Sequence, residues 1–180
     1  MSQLALWACA VGAVLMAVNL AMVLAPDPLR RLLLAFPRSR WPGWLLTTID
    51  LGWVSWVVYH ASLGSFDGLK PSLFLLTPLA FVLLVFFMDE LLAPRALGGL
   101  LLLLANPILN AARWHPSPWH FVMTVLAYVW VVAGIVLVLS PFRFRQVAGF
   151  ATRTDARCRI GGLIRMALGL LLLALGLTVF

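Results

Sequence analysis

Six long apolar runs, separated by short polar segments, make up most of this chain. Four of the runs contain no charged side chain: residues 4–24, 72–88, 96–112 and 166–180. Residues 118–140 contain only His120, and residues 45–63 have Asp50 as their one carboxylate. An α-helix rises about 1.5 Å per residue, so about 20 apolar residues cross a hydrocarbon core that is ~30 Å thick. The pattern therefore predicts an all-α, polytopic membrane protein.

The predicted architecture is a single six-helix membrane domain over residues 1–180, built as three helical hairpins. The spans are predicted at residues 4–25, 44–63, 72–92, 96–113, 118–140 and 160–180. Composition agrees, because 63% of the residues are hydrophobic and the mean hydropathy is +1.04. Such a composition excludes an ordinary soluble domain.

The net charge of +7 reports topology. Under the six-span arrangement, 11 of the 13 Lys and Arg residues fall in the connections on one side of the membrane. Positive residues stay on the cytoplasmic side, so both termini are predicted to lie outside the cytoplasm. Because the basic residues are explained by topology, no nucleic-acid partner is predicted. The expected partners are membrane lipids, and in addition other membrane subunits or a second copy of the chain.

The first helix of each predicted hairpin ends in a similar motif: Leu24-Ala25-Pro26, Leu92-Ala93-Pro94 and Leu139-Ser140-Pro141. Proline has no N–H and clashes with the preceding turn, so it is predicted to stop each helix. Arginine follows within a few residues each time. Two interpretations stay open: a hairpin repeated three times, or the proline stop and basic loop that any membrane hairpin needs.

The third hairpin carries a more detailed pattern. An apolar helix with Gly134 leads to Leu139-Ser140-Pro141-Phe142-Arg143, and Arg159-Ile160-Gly161-Gly162 opens a second apolar helix. Over residues 122–180 this resembles short two-helix bacterial inner-membrane proteins of unknown function. The resemblance implies a multi-pass protein of the bacterial inner (cytoplasmic) membrane. It implies no activity and no catalytic residues.

Small residues form stripes on the first and last helices. Ala13, Ala17 and Ala21 lie four apart, and Gly162, Gly169 and Gly176 lie seven apart. Such stripes let helix backbones approach closely in a membrane. They predict helix packing, either inside one chain or against another chain.

Polar residues inside apolar spans are costly and are candidates for function. The candidate ion or solute pathway comprises Asn19, Asp50, Asp89, Glu90, Asn106, Asn110 and Arg165. Asp50 is predicted to face the bundle and not lipid, with Arg165 as its natural partner or with polar groups of the first and third helices around it. Two interpretations stay open for this pair: a buried ion pair that fixes helix register, or part of a proton or ion relay.

Aromatic residues mark a second candidate site. Trp53, Trp56 and His60 share one face of the second helix at spacings of three and four. This face could contact a flat ligand such as a quinone or a pigment, or it could be core packing. His115 and His120 stand near the same surface, but no carboxylate or cysteine stands at a metal-ligand offset, so neither a metal nor a cofactor is predicted. Bound lipid is expected.

The sequence leads to three functional hypotheses. The first is a non-enzymatic membrane protein that acts by assembly, as an accessory subunit or a homo-oligomer. The second is a small transporter or channel for an ion or small solute, using the intramembrane polar residues. The third is an intramembrane enzyme acting on a lipid-like substrate, with Asp50 or the pair Asp89 and Glu90 as acid or base. No catalytic residue is assigned, since the sequence has none of the nucleotide-binding or hydrolase motifs.

Overall fold

The computed structural model describes residues 2–62, 64–87 and 91–180, with the backbone alone for Phe66 and Leu69. These residues form eight α-helices and two 3-10 segments. The helices are α1 Gln3–Leu24, α2 Pro26–Ala35, α3 Arg40–His60, α4 Leu73–Phe87, α5 Leu92–Arg113, α6 His120–Leu139, α7 Phe142–Ala151 and α8 Asp155–Thr178. The 3-10 segments are Phe36–Arg38 and Gly64–Ser72. The all-α prediction is confirmed.

Five helical stretches are long and apolar enough to cross a membrane. They are Gln3–Leu24, Lys70–Phe87, Leu92–Arg113, His120–Leu139 and Asp155–Thr178. The remaining predicted span, residues 44–63, corresponds to α3, which has a comparable length of 21 residues. α3 is outside this set; it carries Arg40 and Asp50 and several hydroxyl, indole and imidazole side chains.

Two amphipathic helices were not predicted. α2 and α7 each have 10 residues; α2 begins at Pro26, and α7 begins directly after Pro141. The prolines Pro26 and Pro141 therefore stop α1 and α6 as predicted, but the chain at once starts a new helix. Proline suits a first helical turn, where its missing N–H would have no partner.

The second of the three proline motifs behaves differently. Leu92, Ala93 and Pro94 were predicted to end a helix, but they open α5. Pro94 is in the first turn and is buried. This boundary prediction is wrong because proline has two compatible positions, just after one helix and just inside the next, and the motif alone does not distinguish them.

The long helices do not pack as the three predicted hairpins. In the described part of the chain, the main contacts join α1 to α8, α5 to α6 and α3 to α5, with weaker contacts between α3 and α4. The pairs that pack together thus join helices of different predicted hairpins: α1 packs on α8, α4 on α3 and α6 on α5. The short helix α2 connects α1 to α3, and the short helix α7 connects α6 to α8.

Two glycine crossings hold the tightest pairs. A Cβ placed on Gly12 would lie 2.8 Å from the Gly169 carbonyl oxygen, and one placed on Gly98 would lie 2.8 Å from the Gly134 carbonyl oxygen. Backbones can approach this closely only without side chains between them. We call α1, α5, α6 and α8 the body. Its buried core consists of Leu4, Ala8, Val11, Ala105, Ile108, Ala112, Met123, Ala127 and Leu172.

The predicted packing of Gly162, Gly169 and Gly176 proves to be against α1 of the same chain. Their nearest neighbours are Asn19, Met22 and Val23 for Gly162, Gly12, Leu15 and Met16 for Gly169, and Ala5 and Cys9 for Gly176. The alanines predicted as the facing stripe, Ala13, Ala17 and Ala21, are exposed on a different face of α1. They therefore do not pack on α8, and their packing against another chain stays a prediction.

The long helices share one strongly basic end. There α1 and α6 end and α3, α5 and α8 begin: Gly162 meets the last turns of α1, and Gly98 meets the last turns of α6. α2 and α7 contact each other at the same end. We call this the basic end, since it carries Arg30, Arg31, Arg38, Arg40, Arg95, Arg143, Arg145, Arg153, Arg157 and Arg159.

Candidate functional site: a polar pocket between α3 and α5

A small pocket near the basic end contains the acid that the sequence analysis singled out. Its volume is about 210 Å³. α3, α4, α5 and α6 all contribute to its lining, through Thr47, Asp50, Leu51, Leu84, Leu92, Arg95, Ala96 and Val138. The pocket therefore encloses one carboxylate, one guanidinium and one hydroxyl within an otherwise apolar wall.

Helix spacing sets the geometry of this pocket. Thr47 and Asp50 lie three apart on α3, and Arg95 and Gly99 lie four apart on α5, so each pair shares a helix face. Gly99 lets the acid approach, because a Cβ placed there would lie 2.8 Å from Asp50 Oδ2. Arg95 is one turn from Gly99 toward the basic end. The α3 carboxylate and the α5 guanidinium thus face the same cavity.

Three side chains that line this pocket each have an unpaired polar atom. Asp50 Oδ1, Thr47 Oγ1 and Arg95 Nε are buried and have no hydrogen-bond partner. Trp44 Nε1, one turn before Thr47 on α3, is buried and unpaired as well. Each such atom costs about 1–3 kcal/mol when it is left without a partner. Three of these atoms lie within two turns of α3, and the fourth lies on the neighbouring α5. Such a cluster is unusual in a folded protein.

The predicted partner of Asp50 is wrong. Arg165 lies on α8, and its Nη1 donates to the Met22 sulfur of α1 at 3.7 Å. The cation that shares the pocket with Asp50 is Arg95. No ion pair between Asp50 and Arg95 is recorded within the described residues, so the two charges share a cavity without direct contact.

The other predicted pathway residues do not join Asp50. Asn19 is buried at the contact of α1 with α8, and its Nδ2 donates to the Leu15 carbonyl at 2.8 Å. Asn106 and Asn110 are exposed on α5, where Asn110 Nδ2 donates to Asn106 Oδ1 at 3.3 Å. Asp89 and Glu90 lie outside the described residues. The described members of the predicted pathway thus divide among three places.

A larger groove opens between α3 and α4, toward the end opposite the basic end. It has a volume of about 610 Å³ and is lined by Gly52, Ser55, Trp56, Tyr59, His60, Leu73, Phe74, Thr77 and Pro78. Trp56 and His60, predicted to contact a flat ligand, both line it, with their rings 4.1 Å apart. Trp53, predicted with them, does not line the groove. Its size is within the range of small-molecule sites.

Three polar groups of this groove already have partners. The Ser55 and Thr77 hydroxyls are 2.5 Å apart and bond to each other. His60 Nδ1 lies 2.9 Å from the Trp56 carbonyl oxygen of its own helix. The groove therefore offers mostly aromatic surface, whereas the side chains that line the α3–α5 pocket include a carboxylate, a guanidinium and a hydroxyl with unpaired atoms. The pocket is the better candidate for binding a polar molecule.

The histidines near the end opposite the basic end contact neighbouring protein groups. His120 Nδ1 lies 2.7 Å from the Ser117 carbonyl oxygen, and the His115 ring packs edge-on against Phe180 at 5.1 Å. Asp67 and Lys70 form an ion pair of 2.9 Å. Among the described residues, no three His, Cys, Asp or Glu side chains come together in a group that could hold a metal ion.

Sequence reasoning missed Arg95, Thr47 and Gly99. The helix stop predicted at Pro94 places Arg95 in the connection between two helices. A signal was nevertheless present: Arg95 and Gly99 lie four apart in a helical run, so a basic group and a gap for a side chain share one face. The position of Asp50 relative to α5 could not be read without knowing which helices pack together.

Comparison with known proteins adds no assignment. A scan against family models, a search of curated proteins and a search of solved structures find no match to this chain.

Proposed function

We propose that this protein is a small multi-pass membrane transporter that binds a proton or a small polar solute in the α3–α5 pocket. The observation that carries the proposal is that three side chains lining one cavity, Asp50, Arg95 and Thr47, each have an unpaired buried polar atom. Ionisable groups at such depth are costly and usually mark a transport path. A cavity of about 210 Å³ has room for several water molecules at ~30 Å³ each, or for one small solute.

The same proposal includes the topology. α3 packs along α5, with Gly43 against Leu92 and Ala93 and with Asp50 against Gly99; it therefore crosses the membrane with its neighbours as a sixth span. The basic end faces the cytoplasm, and both termini face outward. The membrane is a bacterial inner membrane, the setting implied by the resemblance of residues 122–180. Gly99 lies seven residues into α5, so the acid is about 10 Å from the start of that helix.

Cysteine labelling tests whether water reaches the pocket. In a chain whose Cys9 and Cys158 are replaced by alanine, Thr47→Cys should react with a small charged thiol reagent added from the cytoplasmic side. Thr48→Cys is the matched control, because Thr48 is the next residue and bonds to the Trp44 carbonyl at 2.8 Å outside the pocket. Equal labelling of both positions, or of neither, would contradict a hydrated pocket.

A flux measurement tests transport itself. Purified protein in liposomes that contain a pH-sensitive dye should admit protons faster than empty liposomes, either alone or when free amino acids and small carboxylic acids are added outside. Asp50→Asn should abolish the difference, and Asp155→Asn at the exposed start of α8 should not. If wild-type liposomes match empty ones under every condition, the transport proposal is wrong.

Assembly is a second candidate, and one observation favours it. Asn106 and Asn110 expose amide groups on α5, and Asn106 lies seven residues, or about 10 Å, before Arg113 at the helix end. An exposed amide at that depth gains from a partner helix, since lipid supplies no hydrogen bond. This basis differs from the glycine stripe, which the α1–α8 contact occupies.

Native mass spectrometry in mild detergent tests the assembly candidate. The wild type should show more than one chain, and Asn106→Leu with Asn110→Leu should give single chains. Tyr128→Phe, which removes an exposed hydroxyl from α6, is the control and should leave the assembly intact. A wild type that is already a single chain in native-lipid particles would remove this candidate.

A further inference from the structure

A cleft at the basic end joins the two short helices. It has a volume of about 540 Å³ and is lined by Leu33, Leu34, Pro37, Arg38, Phe142, Arg145 and Gln146. α2 and α7 contact each other there, and the rings of Phe36 and Phe144 lie 5.2 Å apart. The cleft is therefore formed by elements about 100 residues apart in sequence, which the packing of the two helices brings together.

Two cations converge on this cleft from different elements. Arg38 ends the 3-10 turn after α2, and Arg145 lies in the first turns of α7. Both side chains are exposed, and the described part of the chain contains no recorded ion pair to either guanidinium. Gln146 adds an amide that can donate a hydrogen bond. Two guanidinium groups with an amide are suited to the oxygens of a phosphate group.

The rest of the lining is apolar. Leu33, Leu34, Pro37 and Phe142 supply hydrocarbon surface beside the two arginines. The cleft lies at the level where α1 and α6 end and α3 and α8 begin, which is where a bilayer surface would meet the six-span bundle. Amphipathic helices at this level bury their apolar face at the boundary between headgroups and acyl chains. A ligand that fits the cleft therefore combines an anionic head with an acyl chain.

We infer that this cleft is a binding site for an anionic phospholipid. Arg38 and Arg145 hold the phosphate, and the leucines and Phe142 contact the upper part of an acyl chain. The site joins α2 to α7, and so links the connection between α1 and α3 to the connection between α6 and α8. This inference rests on the basic end alone and is independent of the function of the α3–α5 pocket.

Native mass spectrometry of the full chain tests the site, with phosphatidylglycerol and phosphatidylcholine of equal chain length as probes. The wild type should retain phosphatidylglycerol in preference. Arg38→Gln with Arg145→Gln should lower its affinity about tenfold or more, since each charge-assisted contact is worth about that factor. Arg153→Gln with Arg159→Gln removes the same charge outside the cleft and should change the affinity less than about threefold.

Each outcome decides the inference. An equal loss in the two double variants would show attraction by overall charge, and would overturn the site. Displacement of bound phosphatidylglycerol by inorganic phosphate at equal concentration would make free phosphate the ligand, and would overturn the lipid assignment. Thermal midpoints of all variants are measured alongside. If, without lipid, the variant with Arg38→Gln and Arg145→Gln has a lower thermal midpoint than the control variant, Leu34→Gln is compared with the wild type instead. Unchanged lipid affinity of Leu34→Gln would contradict the acyl-chain contact.

Discussion

The body and α4 are packed in opposite ways. In the body, helices touch backbone to backbone at Gly12–Gly169 and at Gly98–Gly134, and side chains such as Ile108 and Met123 are fully buried. α4 has no buried residue, and it contacts the remainder mainly through α3. Close packing holds the body rigid, whereas few contacts hold α4.

The candidate site lies where these two regions meet. The α3–α5 pocket has α5 and α6 of the body on one side and α3 and α4 on the other. Elements that move during function come from the less stable parts of a protein. The comparison therefore suggests a fixed wall, with Arg95 and Gly99, and a movable wall, with Leu84 on α4.

The largest expected effect is a loss of stability in the body. A Cβ on Gly169 would lie 3.0 Å from the Gly12 carbonyl oxygen, so Gly169→Leu forces α1 and α8 apart and should cost about 3 kcal/mol. Gly161→Leu, on the same helix with nothing within 4 Å, is the control and should change stability by less than about 0.5 kcal/mol. Thermal unfolding followed by circular dichroism in mild detergent measures both.

The oligomeric state of the same two variants sharpens this test. Because the glycine stripe packs within the chain, Gly169→Leu should lower the thermal midpoint of a single chain. Dissociation of an assembly with an unchanged midpoint would mean that the stripe faces another chain, contrary to the structure.

The sequence predicts where the long helices lie, but it does not predict which helices pack together. The long helices follow from apolar runs, because a membrane span needs about 20 apolar residues whatever it packs against. The packing partners do not follow, because lipid-facing and buried surfaces are equally apolar. The exposed stripe of Ala13, Ala17 and Ala21 and the buried face with Gly12 and Ala5 look alike in sequence. Because the sequence does not show which helices pack together, it identifies Asp50 but not its neighbour Arg95.

A smaller effect, of opposite sign, is expected in the pocket. Asp50 Oδ1 is buried without a partner, so Asp50→Asn removes a costly charge and should raise stability by about 1 kcal/mol, as is common when functional groups are replaced. The thermal midpoint should rise while flux is lost. A fall in the midpoint would mean that the carboxylate supports the fold, and would remove the main argument for a binding pocket.

The glycine beside the acid should matter slightly less. Gly99→Ala places a methyl group 2.8 Å from Asp50 Oδ2, and the carboxylate has to turn away at a cost of about 0.5–1 kcal/mol. Flux and labelling of Thr47→Cys should both fall. Gly52→Ala on α3, with nothing within 4 Å, is the control and should be neutral or slightly stabilising because alanine favours helix. Equal effects of the two changes would contradict the Asp50–Gly99 contact.

The smallest effect concerns the attachment of α4. The Ser55 and Thr77 hydroxyls bond to each other across α3 and α4, and a neutral hydrogen bond is worth about 1 kcal/mol. Ser55→Ala leaves the Thr77 hydroxyl unpaired and should speed amide hydrogen exchange in α4 several-fold, while exchange at the Gly12–Gly169 crossing stays unchanged. Removing both hydroxyls, with Ser55→Ala and Thr77→Val, should bring exchange back toward the wild-type rate, because no polar group is then left without a partner. If Ser55→Ala speeds exchange equally in α1 and α8, α4 unfolds together with the body, and the division between a fixed and a movable wall of the pocket is wrong.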